Sequence, residues 1–341
     1  MSTEARAAPA AKPTKQVNMV QALNMALHDA MTEDPTVIVL GEDVADPQGG
    51  GVMKVTEGLS TRFGGRVRAT PIAEQAIAGA AIGAALAGLR PVAEIMLMNF
   101  MTVAMDQVVN HAAKLRFMSG GQTGVPITIR TLSGAGWGLG GQHSDMLEAW
   151  FCHTAGLKVV MPWSPAEAYG LLLSAIADDD PVVFVETLPL YHAPGPPPER
   201  GKRIPLGRAN IVRAGTDVTV IGYGRAVPDA LAVSETLAGQ GISVEVIDLR
   251  TVAPLDMATL LESVGRTRRA VVVHEAVKAY GAGAEIASRL HEQLPGQLLA
   301  AVERIGSRSC PVPFSQPLEK AFLYSRDDIA AAVRRTLGKS A

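Results

Sequence analysis

The feature that most restricts the fold of this chain is the alternation of short apolar, β-branched runs with longer segments of helical periodicity. The runs are rich in Val and Ile, as expected for parallel strands that are covered on both faces. In the first half of the chain they are TVIVLGED, PVAEIML, VPITIRT, LKVVMPW and PVVFVET. The helical pattern NMVQALNMALHDAMTED precedes the first of these runs, and MTVAMDQVVNHAAKLRFM and SPAEAYGLLLSAIADDD lie between later ones. This order predicts a doubly wound α/β fold.

A segment dense in proline and glycine, LPLYHAPGPPPERGKRIPLG, divides the chain. Beyond it the alternation begins again, with the strand-like runs DVTVIGYG, SVEVIDLR and AVVVHEA. Since 341 residues exceed the usual size of one hydrophobic core, we expect two parallel-sheet domains. The predicted division is a disordered tail over 1–15, a first domain over 16–187, a linker over 188–204 and a second domain over 205–341.

Composition excludes several classes of function. Apolar residues make up 48% of the chain and the net charge is −2, which indicates no basic surface for nucleic acid. The longest apolar run, from Ala76 to Leu89, is rich in alanine and glycine, whereas a membrane-spanning helix needs about 20 strongly apolar residues. Cys152 and Cys310 are too few for a disulfide framework, and the N terminus lacks the apolar core of a signal peptide. We expect a cytoplasmic protein that binds neither nucleic acid nor membranes.

Glu74 is the only charged residue in the run PIAEQAIAGAAIGAALAGL. One interpretation is structural: Thr70 caps the helix, Pro71 is its first residue, and the carboxylate interacts with the helix dipole. The spacing does not fit a capping box, because the third helical position after Thr70 is Ala73. The other interpretation is a functional carboxylate in an apolar pocket. The run by itself leaves both open.

The loop sequence GWGLGG, from Gly136 to Gly141, follows the run VPITIRT and fits the GxGxxG pattern of dinucleotide-binding proteins. The acidic residue that binds the ribose should stand about 20 residues later, where the chain reads GLKVVMPW. We therefore favour a flexible glycine loop over a nucleotide-binding loop. His143 comes directly after it and is a candidate functional residue, because backbone there can approach a ligand closely.

Three acidic residues end the helical pattern in AIADDDP, from Ala175 to Pro181. Two interpretations compete: a solvated charge cluster, or oxygen ligands for a cation. Taken alone, the residues favour the solvated cluster. The sequence contains no P-loop motif, no HExxH, no GxSxG and no CxxC, which argues against P-loop hydrolysis and the common zinc and serine hydrolases.

Several longer motifs follow one another in a recognisable order. They are LGEDV, GGVMKVTEGL, RVRATPIAEQAIAGAAIGAALAGLRPVAEIM, DQVVNHAAKLRFMSGG, GGQHSDMLEAW, GLKVVMPWSPAEAYGLL and EVIDLRTVAPLD. Together they resemble the β subunit of the thiamine-diphosphate-dependent first component of 2-oxo acid dehydrogenase complexes, a family that includes pyruvate, branched-chain 2-oxo acid and acetoin dehydrogenases. The resemblance extends from about Gln16 to about Leu337. It implies a transketolase-like pyrimidine-binding domain followed by a transketolase C-terminal-like domain.

The resemblance also implies roles for single residues. Glu74 matches the glutamate that hydrogen-bonds a ring nitrogen of the cofactor's aminopyrimidine and exchanges a proton with it, which is general acid–base work. Phe100 matches the aromatic residue that stacks on this ring, and Met96 lies where the family lines the ring's pocket. His143 matches the histidine that faces the substrate, and Glu42 matches an acid linked to the proton network. The helix around Glu74 is then expected to be packed on every side.

The family further implies partners and ions. Its α subunit supplies the magnesium ion and the diphosphate site, whose GDG motif is missing from this sequence. We expect the thiamine diphosphate between the subunits of an α2β2 heterotetramer, and a lipoyl acyltransferase as a further partner. In several relatives a potassium ion is bound at the positions of Ala175, Asp178 and Asp180, which makes the cation and the solvated cluster equally good interpretations of AIADDDP.

Two residues depart from the usual pattern of the family. Asp145 stands in QHSD where relatives commonly read QHSQ, and Trp137 is bulky for its loop, so both predict a reshaped substrate pocket. GGVMKVTEGL and HSDML resemble acetoin-type relatives slightly more than branched-chain ones. The predicted reaction cleaves the C–C bond next to a carbonyl and passes the acyl group to a lipoyl partner. The alternatives are a stand-alone carboligase of the same assembly, an NAD-binding dehydrogenase, and a non-catalytic scaffold.

Overall fold

A computed structural model describes residues 16–339 as two sheets flanked by helices. The strands are β1 (Val37–Glu42), β2 (Val67–Thr70), β3 (Arg90–Leu97), β4 (Thr128–Ser133), β5 (Lys158–Val160), β6 (Val182–Thr187), β7 (Asn210–Arg213), β8 (Val218–Gly222), β9 (Val244–Asp248), β10 (Thr251–Ala253), β11 (Ala270–Val277) and β12 (Glu303–Ser307). The helices are α1 (Met19–Glu33), α2 (Leu59–Phe63), α3 (Glu74–Leu86), α4 (Ala113–Met118), α5 (Glu148–Cys152), α6 (Pro165–Ala177), α7 (Ala226–Ala238), α8 (Met257–Thr267), α9 (Ala282–Gln293), α10 (Gln316–Phe322) and α11 (Arg326–Thr336). The predicted tail over 1–15 lies outside the described residues. Within 16–339 no helix is long and apolar enough to cross a membrane.

The larger sheet has seven strands in the order β10-β5-β6-β4-β3-β1-β2. All neighbouring strands are parallel except β10 and β5. β4 and β6 are buried along their whole length, which explains the three valines of β6, whereas β4 has the more polar sequence TIRTLS. Because parallel strands end at one edge of a sheet, the residues at the ends of β1, β3 and β4 come together there. That edge carries the predicted site residues Glu42, Met96, Phe100 and His143.

The smaller sheet has five strands in the order β12-β11-β8-β9-β7. The strands β12, β11, β8 and β9 are parallel to one another, and β7 runs antiparallel to β9 at one edge. The predicted parallel sheet is therefore confirmed, and one antiparallel strand adds to it at this edge. β7 has the sequence NIVR and is only partly covered, so it lacks the continuous apolar run by which a buried strand is recognised.

Strand β10 joins the two halves of the chain. It follows β9 in sequence but completes the larger sheet, where Thr251 pairs with Val160. Beside it, the guanidinium of Arg250 donates two hydrogen bonds of 2.6 Å each to the carboxylate of Glu167 on α6. One hydrophobic core continues from α3 and β3 to β8, β9 and α8. The halves therefore share strand pairing and core, in addition to the connection along the chain.

Helix α3 begins at Glu74, and the residue before it is Ala73, which has no side chain that could cap it. Thr70 is extended because it ends β2 opposite Glu42, so the prediction that Thr70 is the cap and Pro71 the first helical residue is wrong. The face that packs on the sheet consists of Ile77, Ala78, Ala81, Ile82 and Ala85. The opposite face, with Gln75, Ala76, Ala80, Gly83, Leu86 and Ala87, is exposed. No element within residues 16–339 covers that face, so this part of the chain does not provide the expected packing on every side.

The segment after β3 is not the single helix that the pattern MTVAMDQVVNHAAKLRFM predicts. It forms a 3₁₀ helix over Met98–Thr102 and a π-helix over Asp106–Ala112 before α4 begins. The hydroxyl of Thr102 donates to the carbonyl of Asn99 at 2.7 Å. The side-chain amide of Asn99 donates a hydrogen bond to the carbonyl of Gly141, in the loop after β4. These contacts keep the turn around Phe100 tight. π-helical turns often occur near functional sites, because they displace side chains from the regular helical positions.

Candidate active site

Two carboxylates lie close together at the carboxyl end of β1. Glu42 is the last residue of this strand and pairs with Thr70, from which residues 71–73 lead to Glu74. Both glutamates are half-buried. Burial raises the pKa of Glu42, and the charges of Asp43 and Glu74 raise it further. Glu42 therefore retains a proton to a higher pH than an isolated glutamate does, beside a second carboxylate.

The side chains of Phe100 and His143 meet where the neighbouring strands β3 and β4 end. Their ring centroids are 5.4 Å apart and the ring planes form an angle of 77°, an edge-to-face contact. Phe100 lies on the 3₁₀ helix that follows β3, and His143 lies in the loop that follows β4. Both side chains are only half-buried, so a ligand can contact them.

The glycine loop is not arranged like a dinucleotide-binding loop. In such a loop the third glycine, here Gly141, would open a helix whose N terminus binds the pyrophosphate. The next helix, α5, begins only at Glu148 and is a short one of five residues. The loop instead turns at Gly140, whose carbonyl accepts a hydrogen bond of 3.2 Å from the His143 amide. This geometry disfavours the alternative of an NAD-binding dehydrogenase.

Asp145 anchors the loop beyond His143. The hydroxyl of Ser133 donates to the Asp145 carbonyl at 2.7 Å, and the Asn99 amide donates to its carboxylate at 2.9 Å. Burial raises the pKa of Asp145, although the hydrogen bond from Asn99 opposes this shift. The residue that departs from the family pattern is thus tied to the segment that carries Phe100.

A cavity of about 270 Å³ opens beside His143. Its walls are mostly apolar and include Val52, Met53, Val55, Met96, Leu97, Leu132, Trp137, Leu139 and Leu188. The indole of Trp137 stacks on His192 with the ring centroids 5.9 Å apart and the planes at 12°. The structure thus brings Met96, His143 and Trp137 around one space, and an effect of Trp137 on the substrate pocket stays a prediction.

Charged residues that the sequence analysis missed form the base of this cavity. Arg130 donates to Glu186 at 2.7 and 2.9 Å and to Glu94 at 2.6 Å. The hydroxyl of Tyr191 donates to Glu186 as well. Glu94, Arg130 and Glu186 belong to β3, β4 and β6, three adjacent strands. One charged residue inside each of three apolar runs was the signal that could have revealed this cluster.

The predicted potassium ligands lie at the opposite edge of the sheet, before β6. The ammonium of Lys158 is 2.7 Å from both carboxylate oxygens of Asp178 and 3.5 Å from Asp180. Asp180 also forms an ion pair with Arg116. Ala175 is in the last turn of α6, and its carbonyl accepts from the Asp178 amide at 3.2 Å. The acidic residues are thus paired with cations of the chain, and a potassium ion there stays a prediction.

Family models match both halves of the chain: "Transketolase, pyrimidine binding domain" over residues 15–193 and "Transketolase, C-terminal domain" over residues 207–329. The acetoin:2,6-dichlorophenolindophenol oxidoreductase subunit beta of Cupriavidus necator is 46% identical over 95% of this chain and 98% of its own. The 3-methyl-2-oxobutanoate dehydrogenase subunit beta of Mycobacterium tuberculosis is 46% identical over 95% and 93%. The chain belongs to the family of 2-oxo acid and acetoin dehydrogenase β subunits. The family predicted from the motifs is confirmed.

Further relatives of this β subunit agree with that assignment. The pyruvate dehydrogenase E1 component subunit beta of Staphylococcus epidermidis is 44% identical over 94% of this chain and 99% of its own. Among solved structures, a split gene transketolase described as an inactive β4 tetramer has a TM-score of 0.77 at 22% identity, covering 96% of this chain and all of that one. The second comparison supports the fold alone, and it confirms the predicted transketolase-like architecture.

Proposed function

We propose that this chain is the β subunit of a thiamine-diphosphate-dependent dehydrogenase that cleaves a 2-oxo acid or acetoin and passes the acyl group to a lipoyl partner. The observation that carries the proposal is the placement of Glu74, Phe100 and His143 at one edge of the larger sheet. The names of the relatives, which act on pyruvate, 3-methyl-2-oxobutanoate or acetoin, support this class of reaction. Catalysis then takes place at an edge that the chain leaves open to a partner.

The residues at this edge fit the aminopyrimidine half of the cofactor. A half-buried carboxylate, Glu74, is available to a ring nitrogen, and the partly exposed ring of Phe100 offers a face for stacking. Thiamine diphosphate, when bound, would supply a nucleophilic carbon for reaction with the carbonyl of the substrate. Glu74 would hold the ring nitrogen and exchange a proton with it, and Glu42, whose pKa is raised, is suited to pass that proton on.

His143 is proposed to act on the substrate. Its ring lies against Phe100 at the cavity, where it can hold or donate a proton at the carbonyl oxygen of the substrate. The apolar walls suit a short alkyl or acyl group, and Trp137 limits its length. The acetoin-type relative and the branched-chain relative share the same sequence identity with this chain, 46%. Both substrate classes should therefore be assayed.

The proposal includes the partners that the family implies. The sequence lacks the GDG motif, so we assign the magnesium ion and the diphosphate to an α subunit in a cytoplasmic α2β2 heterotetramer. A lipoyl acyltransferase would accept the acyl group. Potassium at Ala175, Asp178 and Asp180 would have to displace the ammonium of Lys158. A higher melting temperature in potassium than in choline buffer would support such a site.

Co-expression with the α subunit tests the function. The complex should bind thiamine diphosphate tightly in the presence of magnesium, the isolated chain should bind it poorly, and turnover of pyruvate, branched-chain 2-oxo acids or acetoin should follow with an artificial electron acceptor. Glu74→Gln should assemble and bind cofactor, but turnover should fall by about 10²–10⁴-fold because the amide cannot exchange a proton. Glu235→Gln, the same exchange at an exposed glutamate on α7, is the matched control.

Isotope exchange at the reactive carbon of the bound cofactor, followed by NMR, separates the proton role of Glu74 from a structural one. Exchange in Glu74→Gln that is as fast as in the unmodified complex would show that the carboxylate serves only the helix. His143→Ala should leave this exchange unchanged and slow a later step. Condensation of substrates without any acyl transfer to an acceptor would identify the stand-alone carboligase instead.

A further inference from the structure

Backbone amides of the glycine loop and of Ala135, the residue before it, donate hydrogen bonds to two carboxylates from the smaller half of the molecule. The Ala135 amide donates to Glu275 at 2.6 Å. The Gly136 amide donates to Glu319 at 2.7 Å, and the Gly138 amide lies 3.2 and 3.1 Å from the two oxygens of Glu319. Glu275 belongs to β11 and Glu319 to α10. Two elements that belong to the second domain therefore hold one loop of the first.

Both carboxylates are removed from water, since Glu275 is 5% exposed and Glu319 is 2% exposed. A buried carboxylate is costly unless hydrogen bonds compensate it, and backbone amides are strong donors to a charged acceptor. Burial raises the pKa of Glu275 to about 7. Within residues 16–339 one oxygen of Glu275 has no hydrogen-bond partner. In the described part of the chain, the charge of Arg225 and the hydrogen bond from the Ala135 amide both lower the pKa of Glu275 and so oppose the effect of burial.

Apolar atoms of the smaller half cover the loop from the same side. Gly140 has a φ of +74° and lies so close to the ring of Phe314 that a Cβ atom would collide with it. Gly141 lies against Pro311, where a Cβ atom would approach to 3.4 Å. The pattern GWGLGG by itself suggests glycines that approach a phosphate. The structure explains Gly140 and Gly141 differently, because both pack closely against the second half of the chain.

His143 lies immediately beyond these contacts. The backbone amide of His143 donates a hydrogen bond to the carbonyl of Gly140. The turn that carries the imidazole therefore starts at the glycine that packs on Phe314. From the other side, the Asn99 amide donates to the carbonyl of Gly141 at 3.0 Å. The loop is thus held between the smaller half and the segment after β3.

We infer that Glu275 and Glu319 are positioning residues, which hold the glycine loop in the conformation that places His143 against Phe100. They act through the backbone of the loop and do not touch the substrate. The catalytic part of this inference rests on the proposed function, whereas the loop contact does not. Releasing the loop displaces the imidazole, and a displacement of about 1 Å at a reacting group can lower the rate roughly 10²-fold.

Hydrogen–deuterium exchange of the complete chain, measured by mass spectrometry, tests the loop contact. In Glu319→Ala, peptides that cover residues 134–142 should exchange roughly tenfold faster, because hydrogen bonds to charged acceptors contribute that much to a local opening equilibrium. Glu319→Gln keeps an accepting oxygen without the charge and should be intermediate. Glu275→Ala should accelerate exchange at Ala135. Glu262→Ala, exposed on α8 of the same half, is the matched control and should change nothing.

Turnover of the variants assembled with the α subunit tests the catalytic part. Glu319→Ala should lower kcat about 10²-fold with little effect on KM or cofactor affinity, and Glu319→Gln should recover most of it. Unchanged loop exchange in both Glu319→Gln and Glu275→Ala overturns the inference, even if Glu319→Ala does not fold. Faster exchange with an unchanged kcat also overturns the positioning role. If the unmodified complex has no activity, the proposed function fails, and the exchange data alone decide on the loop contact.

Discussion

At the scale of single residues, Arg130 shows how this chain keeps a charge in its interior. The side chain is 2% exposed, and burial by itself would lower its pKa. The carboxylates of Glu186 and Glu94 outweigh that effect and raise the pKa of the guanidinium. The cation in turn compensates two acidic groups at the base of the cavity beside His143. Each member of this cluster therefore depends on the others.

Replacing Arg130 should destabilise the chain because it leaves two buried carboxylates without their cation. We expect Arg130→Met to lower the free energy of unfolding by about 3–5 kcal/mol in denaturant titrations. Combining it with Glu94→Gln and Glu186→Gln should restore a large part of this loss, since the uncompensated charges are then absent. A loss below about 1 kcal/mol in Arg130→Met would show that water or rearrangement compensates the carboxylates.

The site residues differ in how far the sequence could reveal them. Glu74, Phe100 and His143 follow from motifs whose order indicates the family, and the structure puts Phe100 and His143 in contact. Glu275 and Glu319 could not be found in this way. Their partners are backbone amides 140 and 183 residues away in sequence, and an amide has no side-chain signature that a pattern could record.

At the scale of elements, the predictions succeed where burial dictates composition. β4 and β6 are fully covered, and β6 begins with the apolar run VVFV, while α6 shows the expected helical spacing. β10 has only three residues, TVA, and is defined by its partner in the larger sheet. The start of α3 depends on the pairing of β2 with β1. Such features result from tertiary contacts, which local patterns do not contain.

Because β10 and a common core join the two sheets, the chain should unfold in one cooperative transition. Tryptophan fluorescence can show this, since Trp137, Trp150 and Trp163 all lie in the first half of the chain. Leu237→Ala, in the core of the smaller sheet, should cost about 2–5 kcal/mol and shift the fluorescence and circular dichroism midpoints equally. Glu235→Ala, exposed on the same helix, serves as the control. A fluorescence midpoint that does not move would mean that the halves unfold independently.

At the scale of the whole molecule, the uncovered face of α3 is the feature that calls for a partner. Ile72 is 77% exposed just before the helix and Leu86 is 47% exposed near its end, with small residues between them. Exposed apolar area of this kind marks interaction surfaces more often than free surface. Since Glu74 begins the same helix, the proposed function predicts that assembly and cofactor binding are coupled through α3.

A charge on this face should affect assembly and leave the chain itself stable. Ala80→Arg places a long cation in the middle of the exposed stripe. We expect less than about 0.5 kcal/mol change in the stability of the isolated chain, and binding to the α subunit weakened at least tenfold, because burying an unpaired charge is costly. Sedimentation velocity on mixtures of the variant chain and the α subunit measures the fractions of free and assembled subunits. Glu235→Arg on α7 is the control, and equal assembly of the two variants would contradict this use of α3.

The loop that carries His143 belongs to the first half of the chain, whereas the carboxylates that hold it belong to the second. This arrangement affects how such enzymes can be engineered. A chimera that takes residues up to the linker from one β subunit and the remainder from another inherits the glycine loop from one parent and its carboxylate acceptors from the other. Such a hybrid can fold with two intact sheets and still misplace its histidine. Correct placement requires that the parent of the second part has hydrogen-bond acceptors at the positions of Glu275 and Glu319, and an aromatic ring that packs on Gly140 as Phe314 does. The exchangeable module in this architecture is therefore the pair of domains, and the natural place to cut is outside them.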